Sequence, residues 1–470
     1  KMMSSNNFES RKFETIKTKM ENENLPELVI NNFKHYYTRL AEMGQSGGLI
    51  PEARIEPVGQ LPQSQKLETR YSKIGEQNLP STVMIKLNGG LGTSMGLNKA
   101  KSLLEVKDGY SFLDIIIHQA IRDDIPLVLM NSFRTRQDSL DVIKQYPRLI
   151  NDIPFDFVQH KVPKILQDDL RPAHYSEDRE HEWCPPGHGD IYNALVTSGM
   201  LEKLLNKGYE YAFVSNSDNL GGVIDTSLLG YFADQKLPFM MEVARRQPAD
   251  KKGGHLARQK DDGQLILREI AQCPEEELQD FQNIKKYRYF NTNNLWFNLK
   301  DLQEKMQATD KGMILPMICN EKHLDPRDPS TPEVFQLETA MGSAIAAFKD
   351  SQAIEVSKKR FLPVKKTNSL LNIRSDNYLL TEDYEIIRNP ERDLDECDID
   401  LDTDFYKLID EMEARFPYGP PSLLKCKSLK VRGDVKFGRD LELIDDVSIL
   451  NNDDKQKTIK EMVISNKLKI

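Results

Sequence analysis

Short apolar runs that stop in small polar residues alternate with helical patterns through the middle of the chain. Val83–Leu87 (VMIKL) is closed by Asn88-Gly89-Gly90, and Pro126–Met130 (PLVLM) by Asn131-Ser132. Tyr211–Val214 (YAFV) is closed by Ser215-Asn216-Ser217-Asp218. Helical periodicity fills the gaps, at Phe112–Arg122, Gln137–Tyr146 and Ile191–Leu205. Alternating strands and helices predict βαβ units: a Rossmann-like α/β domain with a mixed, mainly parallel sheet buried on both faces. Ligands of such sheets bind beyond the carboxyl ends of the strands. The pattern therefore places Asn88, Asn131 and Asn216/Asp218 around one crevice, although Asn and Ser also end strands as ordinary turn formers.

The flanks differ from the middle. Phe13–Met43 has a helical pattern and the stretch from Gly44 to Pro62 is rich in turn residues, so residues 1–65 are expected to be an N-terminal helical segment and linker. Residues 66–380 are the expected catalytic domain and 381–470 a C-terminal one. In the latter, Leu429, Val435, Leu441 and Val447 recur every six residues, which fits one flank of a parallel β-helix. Before them, the acidic stretch Glu391–Asp404 alternates Ile399 and Leu401 with aspartates and predicts an exposed edge strand or solvated connector.

Charge and cysteine usage narrow the classes. A net charge of −9 over 470 residues opposes nucleic-acid or membrane-surface binding, which wants a basic face. The five cysteines follow no CxxC spacing, which predicts free thiols in a reducing compartment and speaks against zinc. The first 23 residues carry no apolar signal region, and no stretch approaches the ~20 apolar residues of a membrane span. A cytoplasmic protein is expected.

The densest chemical signal is KLNGGLGTSMGLNKAKSLLE, from Lys86 to Glu105. Gly89, Gly90, Gly92 and Gly96 follow a buried strand, and glycine lets a ligand approach main-chain N–H groups without Cβ interference. Consecutive amides in a concavity, with a helix start nearby, suit phosphate oxygens. A P-loop fails because Lys101-Ser102 follows Ala100 rather than glycine. A dinucleotide fingerprint fails because Gly96 comes one residue too late after Gly90-x-Gly92, which also removes an oxidoreductase reading. A nucleoside-triphosphate loop of another type remains, with Lys101 as the cation on the phosphates.

These residues carry a resemblance. LNGGLGTSMGL with AKS is similar to the signature of the eukaryote-type UDP-glucose pyrophosphorylase family, and six further segments agree in order. They are MNSF from Met130, PPGHGD from Pro185, SNSDNLG from Ser215, REIAQCP from Arg268, FNTNNLW from Phe290 and RFLPVKKT from Arg360. The likeness spans Ser81 to Asp376, and the hexads resemble the family's left-handed parallel β-helix. It implies a nucleotidyltransferase that turns UTP and glucose 1-phosphate into UDP-glucose and pyrophosphate, with Mg²⁺ as cofactor and self-association possible through the C-terminal domain.

The resemblance also implies roles. Leu87, Asn88, Gly89 and Gly90 cradle the nucleotide; Lys101 and Lys365 carry catalysis on the phosphates, with adjacent Lys366 as competitor; and Asp218 is the metal ligand. Gln159, in FVQHKVP, reads the uracil edge, while Gly187, Asn216 and Ser217 complete the nucleotide contacts. Gly89, Gly90, His188, Asn216, Glu269, Asn291 and Asn293 meet the sugar. His188 is expected to position or supply charge rather than act as a base, since a phosphate nucleophile needs none. Asp190 is expected to cap the following helix. Ser94 stands where related bacterial enzymes carry an arginine, so a distant lysine fills that gap. Two alternatives stand beside this reading: a broad-specificity UDP-sugar enzyme and a non-catalytic nucleotide-binding protein.

Overall fold

The computed structural model describes the backbone of residues 2–470 and the side chains of residues 12–470; Lys1, the first residue of the expected N-terminal segment, lies outside the described residues. The helical N-terminal pattern forms two helices, α1 (Met2–Asn22) and α2 (Glu27–Met43). Asn24 takes a left-handed φ of 57° and Pro26 occupies the N-cap of α2, so the chain turns between them. Phe13, Ile16 and Met20 pack with Val29, Phe33 and Tyr37, and this pair covers Val162, Ile165 and Met317. The stretch expected as a linker contributes β1 (Ile55–Pro57), which pairs with β7 (His255–Gln259) at the edge of the main sheet. Backbone hydrogen bonding to the sheet edge turns that stretch into structure.

The expected strands appear as β2 (Thr82–Asn88), β3 (Leu127–Asn131) and β5 (Tyr211–Asn216), with β4 (Asp156–Val158) beyond β3. Pairings β5–β2, β2–β3 and β3–β4 are parallel. The long strand β8 (Tyr289–Asn298) runs antiparallel to both β5 and β6 (Phe239–Arg245), and β6 pairs in parallel with β9 (Gln352–Glu355). The sheet is therefore mixed, with a parallel half that carries the strand ends of interest and an antiparallel half built on β8, rather than mainly parallel. Its two faces are separate cores. Val83, Ile85, Val214 and Leu295 lie on one side, and Met84, Leu129, Phe213 and Trp296 on the other. Alternate residues of one strand enter both cores, which is why these strands read as unbroken apolar runs.

The intervening helices are α3 (Phe112–Asp123), α4 (Arg136–Ile143), α5 (Ile191–Thr197) and α6 (Met200–Asn206). Ser111 and Asp114 form a capping box on α3. The single helix expected over Ile191–Leu205 is broken at Gly199, whose φ of 73° no helix accepts.

The C-terminal residues stack strands in parallel. β10 (Asp398–Leu401), β11 (Ser422–Arg432), β13 (Leu441–Leu450) and β15 (Met462–Lys469) form one sheet, and β12 (Val435–Phe437) pairs with β14 (Lys457–Ile459) in another. Leu429 registers with Val447, and all four hexad residues are buried. The acidic stretch places β10 on the sheet edge, with Ile399 and Leu401 buried and Asp398 and Asp400 exposed. All five cysteines are buried free thiols. Among the described residues, no helix is long and apolar enough to cross a membrane.

Candidate active site

The carboxyl ends of the parallel strands meet in register, Leu87 opposite Asn216 and Asn88 opposite Asn131. Ser217 N–H donates to Leu87 O at 3.1 Å, and Gln159 N–H donates to Asn131 O at 2.8 Å. The glycine loop, the Asn216–Asp218 turn and Gln159 therefore leave the sheet side by side. The Asn88 side chain does not face outward. Its amide donates to Asn131 Oδ1 and Ser139 Oγ, both at 2.7 Å, and the residue is only 2% exposed. The Asn88 side chain braces the strand ends, which leaves its backbone as the part that faces the crevice.

After Asn88 the loop doubles back. Leu91 bridges Ala100, Lys101 N–H donates to Gly90 O at 3.1 Å, and Gly96 turns the chain with a φ of 80°. The loop contains only single 3-10 turns, Thr93–Met95 and Lys101–Leu103, and α3 begins at Phe112. The helix start expected beside the glycines is therefore absent, and what the loop itself offers a ligand is backbone. Gly89 is packed closely enough that a Cβ there would lie 2.8 Å from Gln159 Oε1, while the same position at Gly90 is open. The doubling back directs Lys101 across the crevice, where its Nζ donates to Asp218 Oδ2 at 2.6 Å with both side chains mostly shielded.

Asp218 also fixes the second lysine segment. Val364 N–H donates to Asp218 O at 3.1 Å, Leu220 N–H donates to Leu362 O at 3.2 Å, and Asn219 bridges Pro363 antiparallel. Lys365 therefore emerges, exposed, directly beside Asp218. Lys366, also exposed, is the N-cap of α7 (Thr367–Arg374).

The remaining candidates close a ring. Burial pushes the Glu269 carboxyl above its usual range, and the Lys365 ammonium acts in the opposite direction, which places the two in one electrostatic neighbourhood. Glu269 packs on Gly254, where a Cβ would sit 2.5 Å from its Oε2, and Asn291 N–H donates to Gly254 O at 3.3 Å. Asn291 Nδ2 donates to Asn293 Oδ1 at 2.7 Å, and Asn293 N–H donates to Asn291 Oδ1 at 2.8 Å. With Asn293 in a left-handed conformation (φ 60°), this pair leaves the Asn293 Nδ2 donor free of that mutual bond. Asn291 Nδ2 lies against Gly342, and the preceding Met341 N–H donates to His188 Nδ1 at 2.9 Å.

Burial lowers the His188 pKa to about 4. The ring is neutral near pH 7, and with Nδ1 accepting, its proton sits on Nε2. A neutral ring has no charge to supply, and its Nε2–H is left as a donor. Gly187, with a φ of 79°, lets the chain pass where a Cβ would be 2.3 Å from Thr339 O. Asp190 stands at the N-cap of α5 but makes no side-chain cap. Its carboxylate instead accepts from His160 N–H at 2.7 Å and contacts the His160 ring, while His160 Nε2 meets Thr197 at 2.9 Å. That contact returns to Gln159, the neighbour of His160, and completes the circuit.

Two buried groups behind this ring escaped the motif comparison. Glu242 is fully buried and accepts from Arg360 Nε and Nη2 at 2.6 and 2.8 Å, from Trp296 Nε1 at 2.9 Å and from Asn294 Nδ2 at 3.1 Å. Lys86 is also buried, inside β2. A lysine within VMIKL was the available signal, since an unpaired charge does not belong in a strand buried on both faces. Among the described residues, no group of three or more His, Cys, Asp or Glu could hold a metal ion. Asp218 is a single hard carboxylate beside the glycine loop. That donor set suits a Mg²⁺ ion whose other ligands are phosphate oxygens and water.

The protein-family profile described as UTP--glucose-1-phosphate uridylyltransferase matches residues 30–444. The enzyme of that name from Solanum tuberosum is 38% identical, over 85% of this chain and 81% of its own length. That from Encephalitozoon cuniculi is 39% identical, over 87% of this chain and 79% of its own. A UDP-glucose pyrophosphorylase variant from Leishmania major superposes with a TM-score of 0.89 at 40% identity, covering 98% of this chain and 99% of that one. Another variant of the Leishmania major protein, solved in complex with UDP-glucose, gives 0.87 at 41% identity, covering 97% and 99%.

Proposed function

The chain belongs to the UTP--glucose-1-phosphate uridylyltransferase family and is a nucleotidyltransferase that joins UTP and glucose 1-phosphate into UDP-glucose with release of pyrophosphate; from that premise we propose that the transfer is a direct in-line displacement within the ring described above. A phosphate oxygen of glucose 1-phosphate attacks the α-phosphorus of UTP. The bond from that phosphorus to the bridging oxygen breaks, and the electron pair leaves with pyrophosphate. No proton needs to move and no protein nucleophile is required, so the work of the residues is positioning and charge neutralisation.

The roles proposed are those the resemblance implies, and the geometry supports them. Leu87, Gly89 and Gly90 present backbone to the nucleotide. Gln159, held over Gly89, meets the uracil edge, with Gly187, Asn216 and Ser217 beside the nucleoside. Lys101, bonded to Asp218, and Lys365, on the segment paired beside it, neutralise the phosphates. Neutral His188 donates from Nε2 toward the sugar, and Glu269, Asn291, Asn293 and Asn216 match a polyol with carboxylate and amide groups. A hydroxyl missing from the sugar would leave such groups unpaired, at about 1–3 kcal/mol each. Mg²⁺ held by Asp218, when bound, supplies charge neutralisation to the phosphates.

The observation that supports this reading best is that Lys101 donates to Asp218, the Asp218 backbone pairs with the segment carrying Lys365, and the Lys365 charge acts on buried Glu269, all at one end of the parallel strands. Purified protein with Mg²⁺, UTP and glucose 1-phosphate is expected to release pyrophosphate, and UTP-dependent release with other sugar 1-phosphates is expected to be far slower. No release with glucose 1-phosphate would overturn the reading.

We further read residues 1–65, 66–380 and 381–470 as three units, the last wound as a left-handed β-helix. The 18-residue offset between registered Leu429 and Val447, three hexads per coil, supports the winding into three faces. Self-association through this unit is proposed on β15, whose outer edge is unpaired and whose Val463 is exposed. The free thiols favour a cytoplasmic setting.

A further inference from the structure

The side chain of Lys86 is the one strongly charged group that β2 sends into the interior beneath the crevice. Its Nζ donates to Ser215 Oγ at 2.6 Å and to Gly222 O at 2.5 Å, and lies 5.5 Å from the Phe213 ring centre. Ser215 and Gly222 are the two ends of the turn that carries Asn216, Ser217 and Asp218. Lys86 itself is the residue before Leu87 on the strand that feeds the glycine loop. One ammonium therefore ties the base of the nucleotide loop to both ends of the Asp218 turn.

Nothing in the packing explains why a cation should do this. Ile85 and Leu87 are apolar, and a methionine would fill the same volume without desolvation cost. The anion nearest Lys86, Glu242, is already paired with Arg360, so Lys86 has no ion-pair partner of its own. Burial and Arg360 push its pKa down to about 7, with Glu242 opposing. A buried group that strains against its surroundings in this way is a mark of function rather than stability.

We propose that Lys86 is a positioning residue for uridylyl transfer: through Ser215 and Gly222 it sets the distance between the glycine loop and Asp218, and so the span across which Lys101, Asp218 and Lys365 hold the triphosphate. The proposal rests on the reading of Asp218 as a phosphate-side residue. Without the ammonium, the Ser215 hydroxyl is left facing Gly222 O at 3.5 Å, too far for a good hydrogen bond. Shortening that gap draws the two ends of the turn together and moves Asp218 relative to Lys101. The effect belongs to the transition-state geometry, which small displacements of charged groups damage most, more than to ground-state nucleotide binding.

The test is steady-state kinetics of Lys86→Met, a change of similar volume, beside Ser215→Ala and Asp218→Asn in the full chain. Lys86→Met is expected to lower kcat at least ~30-fold while the KM for UTP stays within ~3-fold, with Ser215→Ala in the same direction but smaller. Thermal unfolding midpoints accompany each variant, so that loss of folded protein is separated from loss of turnover. If Lys86→Met is insoluble, Ser215→Ala decides: a lowered kcat at unchanged KM supports the proposal, and wild-type kcat overturns it. Wild-type kcat in Lys86→Met while Asp218→Asn is inactive would overturn the proposal alone. Wild-type kcat in Asp218→Asn would overturn the reading of the site and the proposal with it.

Discussion

The backbone of Val364 donates to the carbonyl of Asp218 across 3.1 Å, which pairs the segment leading to Lys365 with the Asp218 turn. Two residues almost 150 positions apart in sequence are thus locked side by side by main chain. Lys365, the next residue after Val364, therefore starts from a main-chain position beside Asp218.

Lys365→Ala therefore removes a charge without disturbing the strand pairing that places it. Lys365 is exposed, so the fold loses little. We expect kcat to fall roughly 10²–10³-fold, with the KM for UTP within ~3-fold, as for other groups that act on transition-state charge. Equal losses in kcat and UTP affinity would assign Lys365 to ground-state binding instead.

Gly89→Ala puts a Cβ 2.8 Å from the Gln159 carboxamide, the flexible end of a side chain. The fold accommodates this by moving Gln159, and the uracil contact is what suffers. The expected result is an unchanged unfolding midpoint and a KM for UTP raised about tenfold, equivalent to about 1.4 kcal/mol. Isothermal titration with UDP-glucose measures the same loss directly.

Arg360→Met leaves Glu242 buried with Trp296 and Asn294 as donors and without its hydrogen-bonded ion-pair partner, Lys86 being the remaining nearby cation. Breaking one half of a buried ion pair costs about 3–5 kcal/mol, so urea unfolding is expected to shift by that order. A shift below ~1 kcal/mol would mean that the pair is solvated in solution. Because Arg360 O also accepts from Asn219 and Asn294, the Lys365 segment should loosen together with the core.

His188 carries the pH prediction. Burial holds it at about 4 against an ordinary value of 6.5. Between these values the unfolded chain binds a proton that the folded one refuses. Its contribution to stability is therefore full above about pH 6.5 and is lost as pH falls toward 4. His255, buried against Tyr287 and lowered to about 3, adds to the same loss. Unfolding free energy should decline through that window, and kcat should show no limb from His188 between pH 6.5 and 8. A kcat limb in that range that disappears in His188→Gln would contradict the neutral assignment.

Much of this was legible in the sequence because burial on both faces writes itself as unbroken apolar runs. Thr82–Asn88, Leu127–Asn131 and Tyr211–Asn216 were foreshadowed for that reason, and their polar ends converge as the parallel topology requires. Less visible was Tyr289–Asn298, whose Asn291, Thr292, Asn293 and Asn294 interrupt the apolar signal, because that strand serves the site and the core at once. The antiparallel half of the sheet went unseen with it. Helix breaks at Gly199 and Pro26 depend on one dihedral each, which periodicity averages away. The direction of the Asn88 side-chain amide was not legible because a motif records identity and not direction, and its partners Asn131 and Ser139 lie 43 and 51 residues away. Lys86 shows the opposite failure. The anomaly was visible in VMIKL, but its meaning depended on Ser215 and Gly222, which only the fold brings near.

The central claim is that one crevice at the strand ends, ringed by Gln159, Lys101, Asp218, Lys365, Glu269 and His188, receives the whole UDP-glucose molecule. A crystal structure of the protein with UDP-glucose tests it most directly. The account predicts uracil against Gln159 and the Gly89 backbone, the diphosphate between Lys101 and Lys365, and glucose hydroxyls on Glu269 and Asn293. UDP-glucose bound elsewhere, or bound with its glucose on the far side of the glycine loop from Glu269, would contradict it.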